Sequence, residues 1–419
     1  MSSQTNNRLD YLDAVRGYAL ILGIIFHASL SFMPIFIGWA VMDISTSATI
    51  PVFALISHSF RMELFFLIAG FFSHMTFHRQ GLSSFVKSRL VKLAIPFVIG
   101  WLILRPLLVS GWIMGAESMR GDANIAGALL QGFTSLNEFP NGFLVGTHLW
   151  FLYYLILLSV GMILLRNLIT LSKPIKNNLA QLADHSVAWL CKYHLAILLL
   201  AIPTACCLWF MEGWGVDTPD KSLVPNIPVA LIYGGFFLFG WLLHRQANLM
   251  EHFARLTWGK FALCIIASIV AVKLSAYQIQ LSHSHYVLIK AAFMLSYAVL
   301  MWALIALTIG VCKRIFMHPS TFIRYIADSA YWLYLIHLPI VLWLQIAFAE
   351  LPLHWSIKLV SICVLTLMLS IAFYDAFVRS TFVGAILNGK RKPRYLFKHN
   401  QKLKPGKSLA TKDHQRLTE

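Results

Sequence analysis

The sequence is poor in charge. Only 12% of its 419 residues are Asp, Glu, Lys or Arg, about half the roughly 25% of a soluble domain. No stretch is long and polar enough to form a separate soluble domain. The six cysteines (Cys191, Cys206, Cys207, Cys264, Cys312 and Cys363) show neither disulfide-framework nor zinc spacing, so they read as small buried hydrophobes. The first residues contain no basic leader and no obvious A-x-A site, so a cleavable signal peptide is not expected. There is no G-x-S-x-G elbow and no cluster of metal ligands, which weakens serine-hydrolase and metalloenzyme readings. The two halves show no internal repeat, and this weighs against an inverted-repeat transporter.

What fills the chain is apolar: 58% of its residues are hydrophobic. At about 20 apolar residues per crossing, the runs predict an all-α polytopic bundle of about ten spans. They fall at residues 14–37, 52–77, 90–113, 147–169, 189–211, 228–244, 258–277, 287–311, 329–349 and 355–378. Alternate joints are basic: Arg79, Lys87, Arg89 and Lys92; Arg166, Lys173 and Lys176; Arg245 and Arg255; Lys313, Arg314 and Arg324. The other joints carry Glu117, Asp122, Glu138, Glu212, Asp217 and Asp220 against Arg120 and Lys221. Lys and Arg stay on the cytoplasmic side, so both termini are expected there. Segments 114–146 and 212–227, rich in Gly, Asn, Asp and Pro, read as loops over an outward-facing site.

The net charge of +17 does not point to nucleic acid, because it sits in short joints and in a tail with ten Lys or Arg against two acids after residue 389. The expected division is a transmembrane domain over 1–387 and a basic, disordered cytoplasmic tail over 388–419. That tail would lie near anionic membrane lipids.

Ionisable groups inside a span are costly, and each is a site hypothesis by default. Arg16 and His27 are eleven positions apart, close to three turns, so they share one helix face about 16 Å apart. Asp13 stands one turn before Arg16, at pairing distance. A cation at the lip and an imidazole midway suit an anionic ligand entering from the cytoplasm; the plainer reading is a headgroup anchor and a histidine satisfied within the bundle. In the second span, His58-Ser59-Phe60-Arg61-Met62-Glu63 puts Arg61 near mid-depth. Glu63 points elsewhere on a helix, so Arg61 needs another helix, a water-filled cavity or an anion. In the ninth span, His337 lies about 12–15 Å deep, and Pro339 should free a carbonyl one turn earlier. Each of these groups has a structural explanation when taken singly. The common depth of His27, Arg61 and His337 favours one shared site. His148 and Trp150 open the fourth span at the outer boundary, where Trp150 suits the aromatic belt and His148 an outer vestibule.

These segments resemble the acyltransferase-3 family of bacterial membrane O-acyltransferases. The likeness rests on Leu12-Asp13-x-x-Arg16-Gly17, the ten residues between Arg16 and His27, Phe65-Phe66-Leu67-Ile68-x-Gly70-Phe71, and His148-Leu149-Trp150-Phe151-Leu152. It covers nearly the whole chain, with most of its specific signal before Leu152. Ala69 departs from the pattern, standing where the family commonly has Ser. The segments around Arg61 and His337 are most similar to members that act on periplasmic glucans.

The resemblance implies a multi-pass inner-membrane enzyme that moves an acyl group, succinyl in the nearest members, from cytoplasmic acyl-CoA to a hydroxyl of an envelope glycan. Arg16, Lys87, Arg89 and Lys92 would then hold the CoA phosphates. His27 would act as general base, or carry the acyl group as an acyl-histidine. Arg61 would stabilise the oxyanion or pair with a succinyl carboxylate. His337 and Tyr334 would orient the acceptor, with His58, His148 and Trp150 along its path. An O-acetyltransferase of another envelope polysaccharide and a transporter or flippase remain the competing readings.

Overall fold

The computed structural model describes residues 10–118, 124–137, 147–193, 195–316 and 320–396. Among these the regular structure is all helical, with no strand. The long helices are α1 (Asp10–Ser29), α3 (Arg61–Arg89), α4 (Ile95–Ser118), α6 (Trp150–Thr170), α7 (Lys173–Lys192), α9 (Ile227–Arg245), α11 (Trp258–Ser275), α12 (Tyr286–Ile315), α13 (Thr321–Ala349) and α14 (Trp355–Phe373). Shorter ones complete the order: α2 (Thr49–His58), α5 (Ile125–Thr134), α8 (Ala196–Leu208), α10 (Leu249–Phe253) and α15 (Phe382–Asn388). Side chains start several of them. Asn226, Thr257 and Ser320 each accept from a backbone N–H three residues on, satisfying a donor that a helix start leaves free.

Eight helical segments are long and apolar enough to cross a membrane, or nine if the bent α7–α8 pair is one span. One of the eight, Thr49–Ser118, runs 70 residues. At 1.5 Å per residue it would measure about 105 Å, more than three times a 30 Å hydrocarbon core. It is interrupted at Gly81 (φ 76°), so it holds the second and third expected spans. That gives nine crossings, and ten only if the α7–α8 pair, which bends by 117° within the expected 189–211 span, is counted as one.

Two expectations change in detail. The second span is broken at Ser59–Phe60, where α2 ends and α3 begins. Ser59 Oγ donates to the Ile56 carbonyl at 2.8 Å, a local bond of the kind that competes with the helical ladder. Segment 114–146 is more than loop: Asn124 caps α5 by accepting from Gly127 N–H at 2.9 Å. Its Gly132 lies so close to α4 that an added Cβ would stand 2.5 Å from the Pro106 carbonyl oxygen. The charged residues expected in that segment at Arg120, Asp122 and Glu138 lie outside the described residues, as does the tail beyond Leu396.

Helix pairs close on small residues. A Cβ at Gly70 would sit 1.9 Å from the Phe237 carbonyl oxygen, and one at Gly240 would sit 1.9 Å from that of Leu67. The α3–α9 contact is therefore backbone against backbone, as glycine permits in membrane bundles. Helices α1 and α13 pack together, tied at one end by Arg324 Nε and Asp10 at 3.1 Å. That pairing places His27 and His337 side by side.

Candidate active site

One continuous cavity of about 1110 Å³ runs along α1 through the bundle. At one mouth it is lined by Arg16, Arg89 and Lys92 together with Asp328. At the other it meets Trp39, Trp112, Thr218, Asp220 and Lys221. His27, His58, Arg61, His148, Trp150, Tyr334 and His337 line the stretch between. Of the sequence-predicted site residues, Lys87 alone does not line it: its side chain is exposed.

The centre is an imidazole cluster. The His27 ring lies 5.4 Å from that of His337, which lies 5.9 Å from that of His148. Pro339 explains part of this geometry. A proline cannot donate to the carbonyl four residues back, and here that carbonyl, of Leu335, accepts instead from His148 Nε2 at 2.8 Å. His337 donates from Nδ1 to the Tyr334 carbonyl at 2.8 Å and is 3.1 Å from that of Leu333. Because carbonyl oxygens only accept, each bond fixes a tautomer. His148 carries its proton on Nε2, and His337 carries its proton on Nδ1. His148 Nδ1 and His27 Nδ1 are buried without a hydrogen-bonding partner among the described residues. The residue before His148 is strained: Thr147 holds φ at 51°, uncommon for a β-branched residue. Tyr334 braces the same turn, its hydroxyl donating to the His148 carbonyl at 2.8 Å.

Arg61 opens α3 and is 5% exposed. Its guanidinium carbon stands 4.3 Å from the centre of the Phe26 ring, a favourable but modest cation–π contact. No carboxylate of the described residues lies within ion-pair distance, and its Nη1 is buried and unpartnered. Both oxygens of the fully buried Glu63 are likewise unpartnered. His58 reaches Thr218 of the 212–227 segment at 3.2 Å. That contact, with Asp220 and Lys221, brings the segment over this mouth. Burial there pushes the Asp220 carboxyl up from its ordinary value. Trp150 is 7% exposed, stacked on Tyr233 with centroids 5.5 Å apart. It is thus a wall of the cavity rather than a member of an outer belt. Ala69, the departure from the family pattern, also lines the cavity.

At the basic mouth, Arg16 Nη1 is 3.5 Å from Asp13, as the one-turn spacing anticipates. Arg89 donates from Nη2 to Ser73 Oγ at 2.7 Å, with its guanidinium over Phe85.

Two supports were not foreseen. Gln345, 1% exposed in α13, donates to the carbonyls of His27 and Ala28 at 3.0 Å each. Its Oε1 accepts from Trp39 Nε1 at 2.9 Å, and Trp39 stacks on the His27 ring at 5.9 Å. The segment bearing Trp39 is pinned by a buried ion pair, Lys358 Nζ to Asp43 at 2.7 Å. Both leave a trace in the sequence, a lone Gln and a lone Lys inside apolar runs, but neither shows its partner.

Comparison with known proteins bears on the family of the chain. The acyltransferase-3 family, described as Acyltransferase domain, matches residues 9–375. Glucans biosynthesis protein C of Escherichia coli strain K12 is 31% identical over 172 residues, covering 40% of this chain and 40% of that protein. The protein of the same name from Escherichia coli O1:K1 / APEC matches to the same extent. The chain thus aligns with less than half the length of these curated relatives. No solved structure matches. With nearly nine-tenths of its length inside the family match, the chain belongs to the acyltransferase-3 family of membrane acyltransferases.

Proposed function

We propose that the protein is an inner-membrane O-acyltransferase that moves succinyl from cytoplasmic acyl-CoA to hydroxyls of a periplasmic glucan. The observation that carries this is the continuity of the cavity: a basic mouth, an imidazole centre and an aromatic far mouth with Asp220 and Lys221 share one space. By the bias of Lys and Arg, the basic mouth faces the cytoplasm. The glucan acceptor is taken from the printed name of the relatives, and the 212–227 segment is the part of the chain that would meet it.

In this reading Arg16, Arg89 and Lys92 hold the donor phosphates by charge-assisted bonds, and the thioester reaches inward toward His27. The acceptor hydroxyl attacks the thioester carbonyl and its proton passes to His27, whose Nδ1 has no competing partner. Arg61 carries an unspent donor, suited to the oxyanion or to a succinyl carboxylate. Collapse of the tetrahedral adduct breaks the carbon–sulfur bond. The departing thiolate takes the proton back from the imidazolium, leaving an ester and free CoA. His337 and His148, held in defined tautomers by carbonyls, would orient the acceptor.

The test uses the full-length protein in lipid nanodiscs with succinyl-CoA and a periplasmic glucan. Free thiol should appear as the glucan gains succinyl units by mass spectrometry. An intact thioester in the presence of acceptor would sink the enzymatic reading and favour transport. A gain from acetyl-CoA alone would replace the acyl assignment.

A further inference from the structure

The chain returns to the cavity after its last long helix. Gly389 takes φ +81°, a conformation glycine adopts without steric cost, and residues 389–396 form a strap across the basic mouth. The fully buried Asp375 carboxylate accepts from the backbone N–H of Tyr395 at 2.9 and 3.1 Å, and from that of Leu396 at 2.9 Å. Arg379 Nε donates to the Pro393 carbonyl at 2.8 Å, and the Lys392 N–H donates to the Arg379 carbonyl at 3.0 Å. Arg394 Nη2 donates to the Ala376 carbonyl at 2.8 Å. A buried carboxylate taking backbone amides of a segment helps fix that segment, because losing those bonds would take three close contacts from a desolvated charge that also faces Tyr325 and Arg379.

The strap has a chemical consequence. It brings Lys390 and Lys392 into the cavity lining beside Arg16, Arg89 and Lys92. It also passes close to Lys92: a Cβ built on Gly389 would lie 3.4 Å from Lys92 Nζ. Lys392 pairs with Asp328, another lining residue, while Lys390 has no carboxylate of the described residues at ion-pair distance. Five cations therefore share one rim, and among the described residues the carboxylates at ion-pair distance from any of them are Asp13, beside Arg16, and Asp328, beside Lys392. Like charges gathered at one rim repel each other, and a bound polyanion relieves that repulsion.

We infer that the 389–396 strap is a structural part of the donor site, with Lys390 and Lys392 completing a cationic collar for the phosphates of a nucleotide thioester. The inference rests on the acyl-CoA reading above, and it adds residues that lie beyond the family match. The Asp375 latch is the positioning element, since it holds the strap without touching the donor.

The experiment titrates full-length protein with CoA and with 3′-dephospho-CoA, in nanodiscs of phosphatidylcholine alone so that no anionic headgroup is present. Lys390→Ala should weaken CoA binding about five-fold, the scale of one exposed charge-assisted contact, and Lys390→Arg should restore it. The loss should shrink for the dephospho ligand if Lys390 meets the 3′-phosphate. Asp375→Asn should raise KM for the donor with kcat held, and should speed tryptic cleavage at Lys390 and Arg391. Lys390→Ala serves as the second variant if Asp375→Asn fails to fold, because it alters an exposed side chain. Unchanged CoA affinity in both variants would overturn the inference while leaving the acyl-CoA reading in place. So would a loss that appears only in discs containing phosphatidylglycerol, which would assign the cations to lipid. Absence of CoA binding by the unmodified protein would remove the donor reading and the inference with it.

Discussion

Two sets of polar groups lie deep in this apolar bundle, and they are built differently. The Lys358–Asp43 pair is closed. Lys358 Nζ meets Asp43 at 2.7 Å and the Ala349 carbonyl at 3.0 Å, while Asp43 also accepts from Ser45 N–H at 2.8 Å. The set around His27 is open. His27 Nδ1, His148 Nδ1 and Arg61 Nη1 are buried without partners, and all three side chains border the cavity. Burying a charge costs several kcal/mol unless it is paired, so the closed pair accounts for itself structurally. In the open set Arg61 carries the charge and retains that cost, while the neutral imidazoles of His27 and His148 keep unused acceptors, and a ligand is the natural source of what they lack. Both sets are buried and they differ in how fully their bonding capacity is met. Among the described residues Glu63, Thr366 and Ser370 also lack partners without lining the cavity, so an open bond marks a site only where the cavity reaches it.

Substitutions can break this contrast. The largest effect on activity is expected at His27: His27→Ala should lower transfer about 10²–10⁴-fold, the range for a positioned general base, with the helical signal and melting temperature kept. Retained activity in glucan acylation assays would remove His27 as the base. Arg61→Gln should cost about 10²–10³ in kcat if it meets developing negative charge. Single-turnover rates would separate that loss from one of binding.

On the closed side the effect should fall on stability. Lys358→Met alone strands Asp43 and should cost about 3–5 kcal/mol, whereas the double change with Asp43→Leu should recover most of it. Thermal unfolding in detergent reads both, and a neutral single variant would show that the pair is not needed. Gln345→Leu sits between the two sets. It should cost about 1–3 kcal/mol and lower activity as well, because it frees the Trp39 that stacks on His27. The smallest change is expected from Arg16→Ala, which should raise KM for the donor about five-fold while kcat stays. An unchanged KM would count against a phosphate contact there.

Much of this was legible from residue order alone. Helical periodicity put Arg16 and His27 on one face, and both line the cavity. Pro339 marked where a carbonyl would come free, and that carbonyl holds His148. The glycines of the sixth expected span appeared only as a softness in its edges, although Gly240 is where α9 meets α3 at backbone distance. The break at Ser59–Phe60 was missed because the run is apolar on both sides, and hydropathy does not register a change of direction. Lys87 was grouped with Arg89 and Lys92 because they are close in sequence. In the structure Lys87 is exposed and does not line the cavity, since neighbouring positions on a helix point to different faces.

By itself, then, the sequence determined the class of solvent, the approximate bounds of most long helices, and which residues were too costly to be incidental. These follow from hydropathy and a 3.6-residue repeat, both local properties of the chain. Only the tertiary structure decided that His27, Arg61, His148 and His337 share one space, that Gln345 and Trp39 support the first of them, and that residues 389–396 return to the basic mouth. Such convergence depends on how α1, α3, α6 and α13 pack. Packing is set by glycine contacts, buried ion pairs and freed carbonyls between residues up to some 300 positions apart, as in the bond of Gln345 to His27, and no periodicity records them.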